Sequence, residues 1–211
     1  MRMRRKSITS LHFSISAGLI SIGMPIIQVQ NLTHGPIQNL SFTWPVGVSW
    51  VCGDEGTGKT TLLRVLAGDV LPTAGKVIAP AGGVFWVDLQ NSAHDNTTVQ
   101  ACWDTLRAQY PHWNDELLQD LADALDMNQH REKRLHMLST GSRRKVMVLA
   151  ALASGATVTL LDQPFAALDL VSVRIIHAFL DDAADHPVRA WIVADYEAPA
   201  NMPAPRVLHL T

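Results

Sequence analysis

Nine consecutive residues constrain this chain more than any other feature: Gly53-Asp54-Glu55-Gly56-Thr57-Gly58-Lys59-Thr60-Thr61. They follow an apolar, β-prone run, Val46 to Cys52, and precede Leu62, Leu63, Val65 and Leu66 at helical spacing, with Gly68 placed to cap the helix C-terminus. Strand, glycine-rich turn and helix, in that order, is the setting in which a backbone wraps around a phosphate. The glycines let successive N–H groups turn inward, and the helix N-terminus adds partial positive charge. Lys59 is then the side chain that reaches the β/γ-phosphates, and Thr60 the hydroxyl that ligates Mg²⁺. The nine residues together form the candidate nucleotide cradle.

A second helix N-terminus lies downstream. Leu138-Ser139-Thr140-Gly141-Ser142 precedes Arg143, Arg144 and Lys145, then Val146 to Ala153, a run rich in Val, Leu and Ala that reads as a buried helix capped by Ser139. After it comes an apolar strand ending in an acid, Val158-Thr159-Leu160-Leu161-Asp162, the place where a phosphate-loop protein holds its Mg²⁺. The next residues are Gln163-Pro164-Phe165-Ala166-Ala167-Leu168-Asp169.

The remaining features set boundaries. A chain of 211 residues suits one domain. Lys and Arg number 17 against 19 Asp and Glu, a net charge of −2, so no overall basic field exists to hold nucleic acid. Two cysteines, Cys52 and Cys102, are too few for a disulfide framework and read as reduced core residues. Residues 1–24 differ from the rest: Arg2, Arg4, Arg5 and Lys6 precede a weakly apolar stretch broken by Ser14, Ser16, Gly18 and Ser21. That stretch is too short and Ser-rich for a membrane span and lacks a small-residue cleavage site, so 1–24 reads as a flexible extension.

With these motifs in this order, residues 26–211 resemble the ATP-binding subunits of ABC transporters. The resemblance implies an α/β fold, a P-loop NTPase with a RecA-like mixed sheet core, a small antiparallel β subdomain and a helical subdomain over about 91–150, all within 25–211. It assigns Lys59 to the Walker A loop, Leu138 to Ser142 to the LSGGQ-type signature, Asp162 to the Walker B acid and Ala167-Leu168-Asp169 to the D-loop. Gln90, after the strand-like Val84 to Val87, corresponds to the Q-loop glutamine that ligates Mg²⁺ with Thr60 and Asp162. Ser139 and Gly141 are implied to contact a second molecule's ATP. His34 stands nearest to where the family's adenine-contacting aromatic lies, and Trp44 reads as a residue of the small antiparallel sheet. Thr98 to Ala108 and Asn114 to Met127 read as helices, the second with Leu117, Leu118, Leu121, Ala124 and Leu125 on one apolar face; Trp103 and Trp113 read as packing residues. The narrower likeness is to the small haem-exporter cassettes of cytochrome c maturation, through size and the run Pro164-Phe165-Ala166-Ala167.

Three departures from the family follow. Gln163 stands where the family has the glutamate that polarises the attacking water. Asp195, in Ala194-Asp195-Tyr196, stands where the switch histidine contacts the γ-phosphate. Thr140 and Ser142 replace signature Gly and Gln. Two like charges about 4 Å apart at an effective dielectric near 20 repel by roughly 4 kcal/mol, so Asp195 is expected to turn away or be neutralised; it is also a candidate substitute for the missing base. The catalytic candidates are therefore Lys59, Asp162, Gln163 and Asp195.

The resemblance implies an ATPase subunit using ATP and Mg²⁺. It dimerises, with itself or a second cassette, and drives transport through a separate integral membrane subunit from the cytoplasmic face of the cell membrane. The alternative is a hydrolysis-impaired module, an ATP-gated clamp or the degenerate half of a heterodimer, suggested by Gln163 and Asp195. A small-molecule kinase would need an Arg-rich lid, and Arg143 and Arg144 sit in the signature helix instead.

Overall fold

A computed structural model describes residues 26–80, 82–88, 92–200, 202 and 206–211. The extension expected at 1–24 and the Q-loop candidate Gln90 lie outside the described residues.

Among the described residues, eight strands and five α-helices follow one another as β1 (Ile27–His34), β2 (Ile37–Trp44), β3 (Gly47–Cys52), α1 (Lys59–Leu66), β4 (Ala74–Ile78), β5 (Val84–Phe85), α2 (Val99–Gln109), α3 (Asp115–Ala124), α4 (Thr140–Ala153), β6 (Val158–Asp162), α5 (Leu170–Ala183), β7 (Ala190–Asp195) and β8 (Val207–His209). Five strands form a parallel sheet in the order β5-β6-β7-β3-β8, and three form an antiparallel sheet in the order β2-β1-β4. Among the described residues the core sheet, expected to be mixed, is parallel throughout, and the antiparallel pairing lies in the smaller sheet, as expected for the β subdomain. Trp44 ends β2 fully buried, as a residue of the smaller sheet.

The parallel sheet sits between two apolar layers. Successive side chains of a strand face opposite ways, and the two core clusters sort accordingly. From β3 and β7, Val48, Trp50, Trp191 and Val193 pack with α2, α3, α4 and α5, while Val51, Ile192 and Ala194 pack with α1 and the antiparallel sheet. All six residues of β3 are buried. A strand covered on both faces reads as an unbroken apolar run, which is why it was legible ahead of the glycine loop.

Side-chain caps set the helix starts. Thr98 accepts from the Ala101 amide at 3.2 Å, Asn114 from Leu117 at 2.9 Å, Ser139 from Ser142 at 3.1 Å and Asp169 from Ser172 at 2.8 Å. At the other end of α1, Gly68 takes φ +75, its N–H bonds the Val65 carbonyl at 3.1 Å, and the Asp69 N–H bonds the Arg64 carbonyl at 2.9 Å. That is a Schellman ending, and it needs a residue at ease in the left-handed region.

The helical region packs as its apolar faces require. Leu117, Leu118, Leu121 and Leu125 are buried; Ala122 joins them, whereas Ala124 is half-exposed. Trp103 is buried and its Nε1 donates to the Val146 carbonyl at 2.9 Å, tying α2 to α4. Trp113 is half-buried against the same core. Cys52 and Cys102 are both free and buried, and burial, opposed by the Arg143 charge, pushes the Cys102 thiol up to about 11.

Candidate functional site

The glycine loop runs from the C-terminal end of β3 into α1. Thr57 closes it on itself, its hydroxyl donating to the Asp54 carbonyl at 2.9 Å. Gly58 precedes α1 at φ +101, with Pro36 Cγ 2.8 Å from where a Cβ would stand, so both its conformation and its neighbour exclude a side chain. Asp54, Glu55 and Gly56 are exposed, and Thr61 continues α1.

Lys59, at the first position of α1, is only 5% exposed, which is tolerable for an ammonium only when it is paired. Its Nζ donates to the carbonyls of Gly53 at 2.6 Å and Asp54 at 2.7 Å. The ring of Tyr196 lies over the same nitrogen, with its centroid 4.9 Å away. Sequence reading did not assign Tyr196; its only signal was its place beside Asp195.

Thr60 and Asp162 meet across 102 residues of chain, the Thr60 hydroxyl donating to Asp162 Oδ2 at 2.6 Å. The other carboxylate oxygen, Oδ1, is buried with no hydrogen-bond partner. Burial raises the pKa of Asp162; the Thr60 hydrogen bond and the Lys59 and Arg144 charges oppose that rise, and the Asp195 charge adds to it. A hydroxyl oxygen beside a carboxylate with one unclaimed oxygen fits Mg²⁺, a hard cation usually held by one or two carboxylates together with substrate phosphates.

Gln163 follows at φ +45, its N–H bonded to the Ala194 carbonyl at 2.8 Å. It lines a cleft of about 270 Å³ together with Thr60, Asp162, Arg64 and Arg144. Arg144 was read as part of the signature helix only; its Nη1 also donates to the Ala166 carbonyl, and its Nε is buried without a partner.

Asp195 does not line this cleft. It ends β7 opposite Cys52, and its Oδ1 accepts the N–H of Tyr196 at 2.8 Å. The backbone amide of the next residue thus takes up one oxygen of this carboxylate.

Ser139 and Gly141 stand outside the cleft as well. Ser139 is exposed at the start of α4, and Gly141 lies against the segment after Gln163: a Cβ there would stand 2.4 Å from the Ala167 carbonyl oxygen. Lys145 Nζ binds Asp169 Oδ2 at 2.9 Å, a second tie between the same two segments. Within one molecule, the signature and D-loop candidates are docked together while the signature serine faces solvent.

His34 ends β1, with Nδ1 3.4 Å from the Thr73 hydroxyl. The turn that follows lies against the loop and α1, since Pro36 bounds Gly58 and the Cβ position of Gly35 is 3.8 Å from Thr61 Cγ2.

Residues 37–166 match the ABC transporter family model. An uncharacterised ABC transporter ATP-binding protein of Schizosaccharomyces pombe is 24% identical over 208 residues, covering 84% of this chain and 43% of that protein. The cytochrome c biogenesis ATP-binding export protein CcmA of Pseudomonas savastanoi pv. phaseolicola is 32% identical over 130 residues, covering 56% of this chain and 61% of that protein. The zinc import ATP-binding protein ZnuC of Rickettsia bellii is 28% identical, covering 70% and 66%. The chain therefore spans 43% and 61% of the length of the first two relatives. Among solved structures, an ABC transporter ATP-binding protein of Pyrococcus furiosus superposes with a TM-score of 0.69 at 20% identity, covering 87% of this chain and 96% of that one. A dimeric bacterial ABC transporter cassette gives 0.69 at 18% identity, covering 87% and 94%. These two structures share the fold.

Proposed function

Since the chain belongs to the ABC transporter family, through a match over more than half its length, we propose that it is the ATP-binding and ATP-hydrolysing subunit of a transporter. The observation that carries this reading is the 2.6 Å hydrogen bond between Thr60 and Asp162, beside a lysine held at a glycine loop. In this reading the loop amides and Lys59 bind the phosphates, and Thr60 and Asp162 hold Mg²⁺, which when bound neutralises phosphate charge. Gln163 orients the attacking water without accepting its proton, as a glutamine does in small GTPases. Ser139, exposed at a helix N-terminus, is available to the ATP of a neighbouring molecule, so the functional unit is a dimer.

No described helix is long and apolar enough to cross a membrane. In this reading a separate membrane subunit supplies the pathway and the cassette works at the cytoplasmic face. The names of the CcmA and ZnuC relatives make export and import both available precedents; the Pro164-Phe165-Ala166-Ala167 run inclines us to the exporter type. The non-hydrolysing clamp finds no support among these relatives, and loss of a positioned base slows a reaction by about 10²- to 10⁴-fold without removing the other groups.

The test is nucleotide binding and steady-state ATP turnover of the purified protein with Mg²⁺. Wild type should bind and turn over ATP, and Lys59→Ala should lose both. Equal binding by Lys59→Ala would overturn the reading.

A further inference from the structure

An ammonium has three N–H bonds to place. Two from Lys59 go to the Gly53 and Asp54 carbonyls, and the face of Tyr196 lies over the same nitrogen, as a cation and an aromatic ring attract. Tyr196 is therefore the aromatic side chain seated at the phosphate-binding amine. It is 52% exposed, and among the described residues nothing takes up its hydroxyl. Its neighbour Asp195, by contrast, has a carboxylate oxygen engaged by the Tyr196 N–H at 2.8 Å. The corner after β7 thus offers one anion, with one oxygen engaged by the backbone, and one neutral donor with an open hydroxyl.

A phosphate oxygen needs a donor. A phenol donates at neutral pH, and a carboxylate only accepts. Seated on Lys59, the phenol has the chemistry that the Asp195 position lost, and its ring keeps the ammonium from swinging out of the loop.

We propose that Tyr196, not Asp195, is the residue of this corner that reads the terminal phosphate, its hydroxyl donating to a γ-phosphate oxygen while its ring steadies Lys59. The proposal rests on the nucleotide-binding reading above and adds to it a residue that separates a triphosphate from a diphosphate. Tyr196→Phe keeps the ring on Lys59 and removes only the hydroxyl; Tyr196→Ala removes both.

The experiment is calorimetric titration of the full chain and both variants with Mg·ATP and with Mg·ADP. Tyr196→Phe should weaken ATP by about tenfold, as for loss of a hydrogen bond to a charged group, and leave ADP binding at the wild-type value. Tyr196→Ala should weaken both nucleotides, ATP more. The proposal is overturned if Tyr196→Phe binds ATP as tightly as wild type, or if either variant weakens ATP and ADP by the same factor, the mark of a packing role. If wild type binds neither nucleotide, the nucleotide-binding reading falls and takes this proposal with it. If wild type binds both and only the variants behave unexpectedly, the proposal alone fails.

Discussion

The Thr60 hydroxyl and the Asp162 carboxylate, 102 residues apart in the chain, share a 2.6 Å hydrogen bond that leaves Asp162 Oδ1 buried and unclaimed. The bond brings a hydroxyl and a carboxylate from distant parts of the chain to the wall of one cleft. Asp162→Asn keeps an acceptor for Thr60 but removes the charge that a divalent cation needs. We expect it to bind ATP equally with Mg²⁺ or with EDTA, whereas wild type should gain about tenfold to a hundredfold from Mg²⁺. Titration under both conditions checks this.

Gln163 lines the cleft with Thr60 and Asp162, and its backbone is pinned to Ala194. A glutamate at this position would gain the proton-accepting oxygen without moving the chain. Gln163→Glu should raise steady-state ATP turnover by about 10²- to 10⁴-fold. No increase would mean that water activation does not limit this site.

Asp195 places a negative charge within reach of Asp162 and Cys52 and outside the cleft that holds Gln163. As an anion near bound phosphates it should cost affinity. Asp195→Asn is therefore expected to tighten ATP binding a few-fold, more at low salt, without the loss of turnover that removal of a general base would cause. A turnover drop of about 10²-fold or more would instead restore Asp195 as the base.

Asp169 caps α5 through the Ser172 amide and also binds Lys145 and the Ser172 hydroxyl. The Lys145 contact, then the Ser172 bonds, hold its carboxyl well below the ordinary carboxylate range. A depressed folded-state value means that the contribution is complete above the unfolded pKa near 3.9 and fades as pH falls below it. Asp169→Asn should lower the melting temperature at pH 7, by a margin that starts to narrow only once pH falls below about 4. Thermal unfolding of both proteins from pH 7 to 3 reads the constant margin and the onset of its narrowing.

Gly141 leaves no room for a Cβ, because the Ala167 carbonyl oxygen would stand 2.4 Å from it. Backbone, unlike a side-chain tip, cannot yield cheaply. Gly141→Ala should destabilise by about 1–3 kcal/mol, whereas Thr140→Ala, exposed one residue earlier, should stay within about 0.5 kcal/mol. Chemical denaturation of the two variants separates these outcomes.

What could be read ahead of the structure was local. The glycine loop, the Ser139 and Asn114 caps and the Gly68 ending are each fixed by a few adjacent residues, and each forms as expected. The pairing of Thr60 with Asp162 was legible only through the order of motifs, since nothing local joins two residues so far apart. Strands β4 and β8 escaped notice. The segment Ala74–Ile78 is mostly exposed and carries no alternating apolar pattern, and Val207–His209 is too short to show a period. Tyr196 over Lys59, Arg144 in the cleft and Ala167 against Gly141 are contacts between segments distant in sequence, and single-chain periodicity holds no record of them.

Strand β8 lies parallel to β3, and beyond it the Leu210 amide bonds the Cys52 carbonyl at 2.8 Å, while the Leu210 carbonyl crowds Gly53. The glycine loop is thus propped by residues about 150 positions further along the chain, so the turn takes its shape from a partner that no neighbouring stretch of sequence supplies.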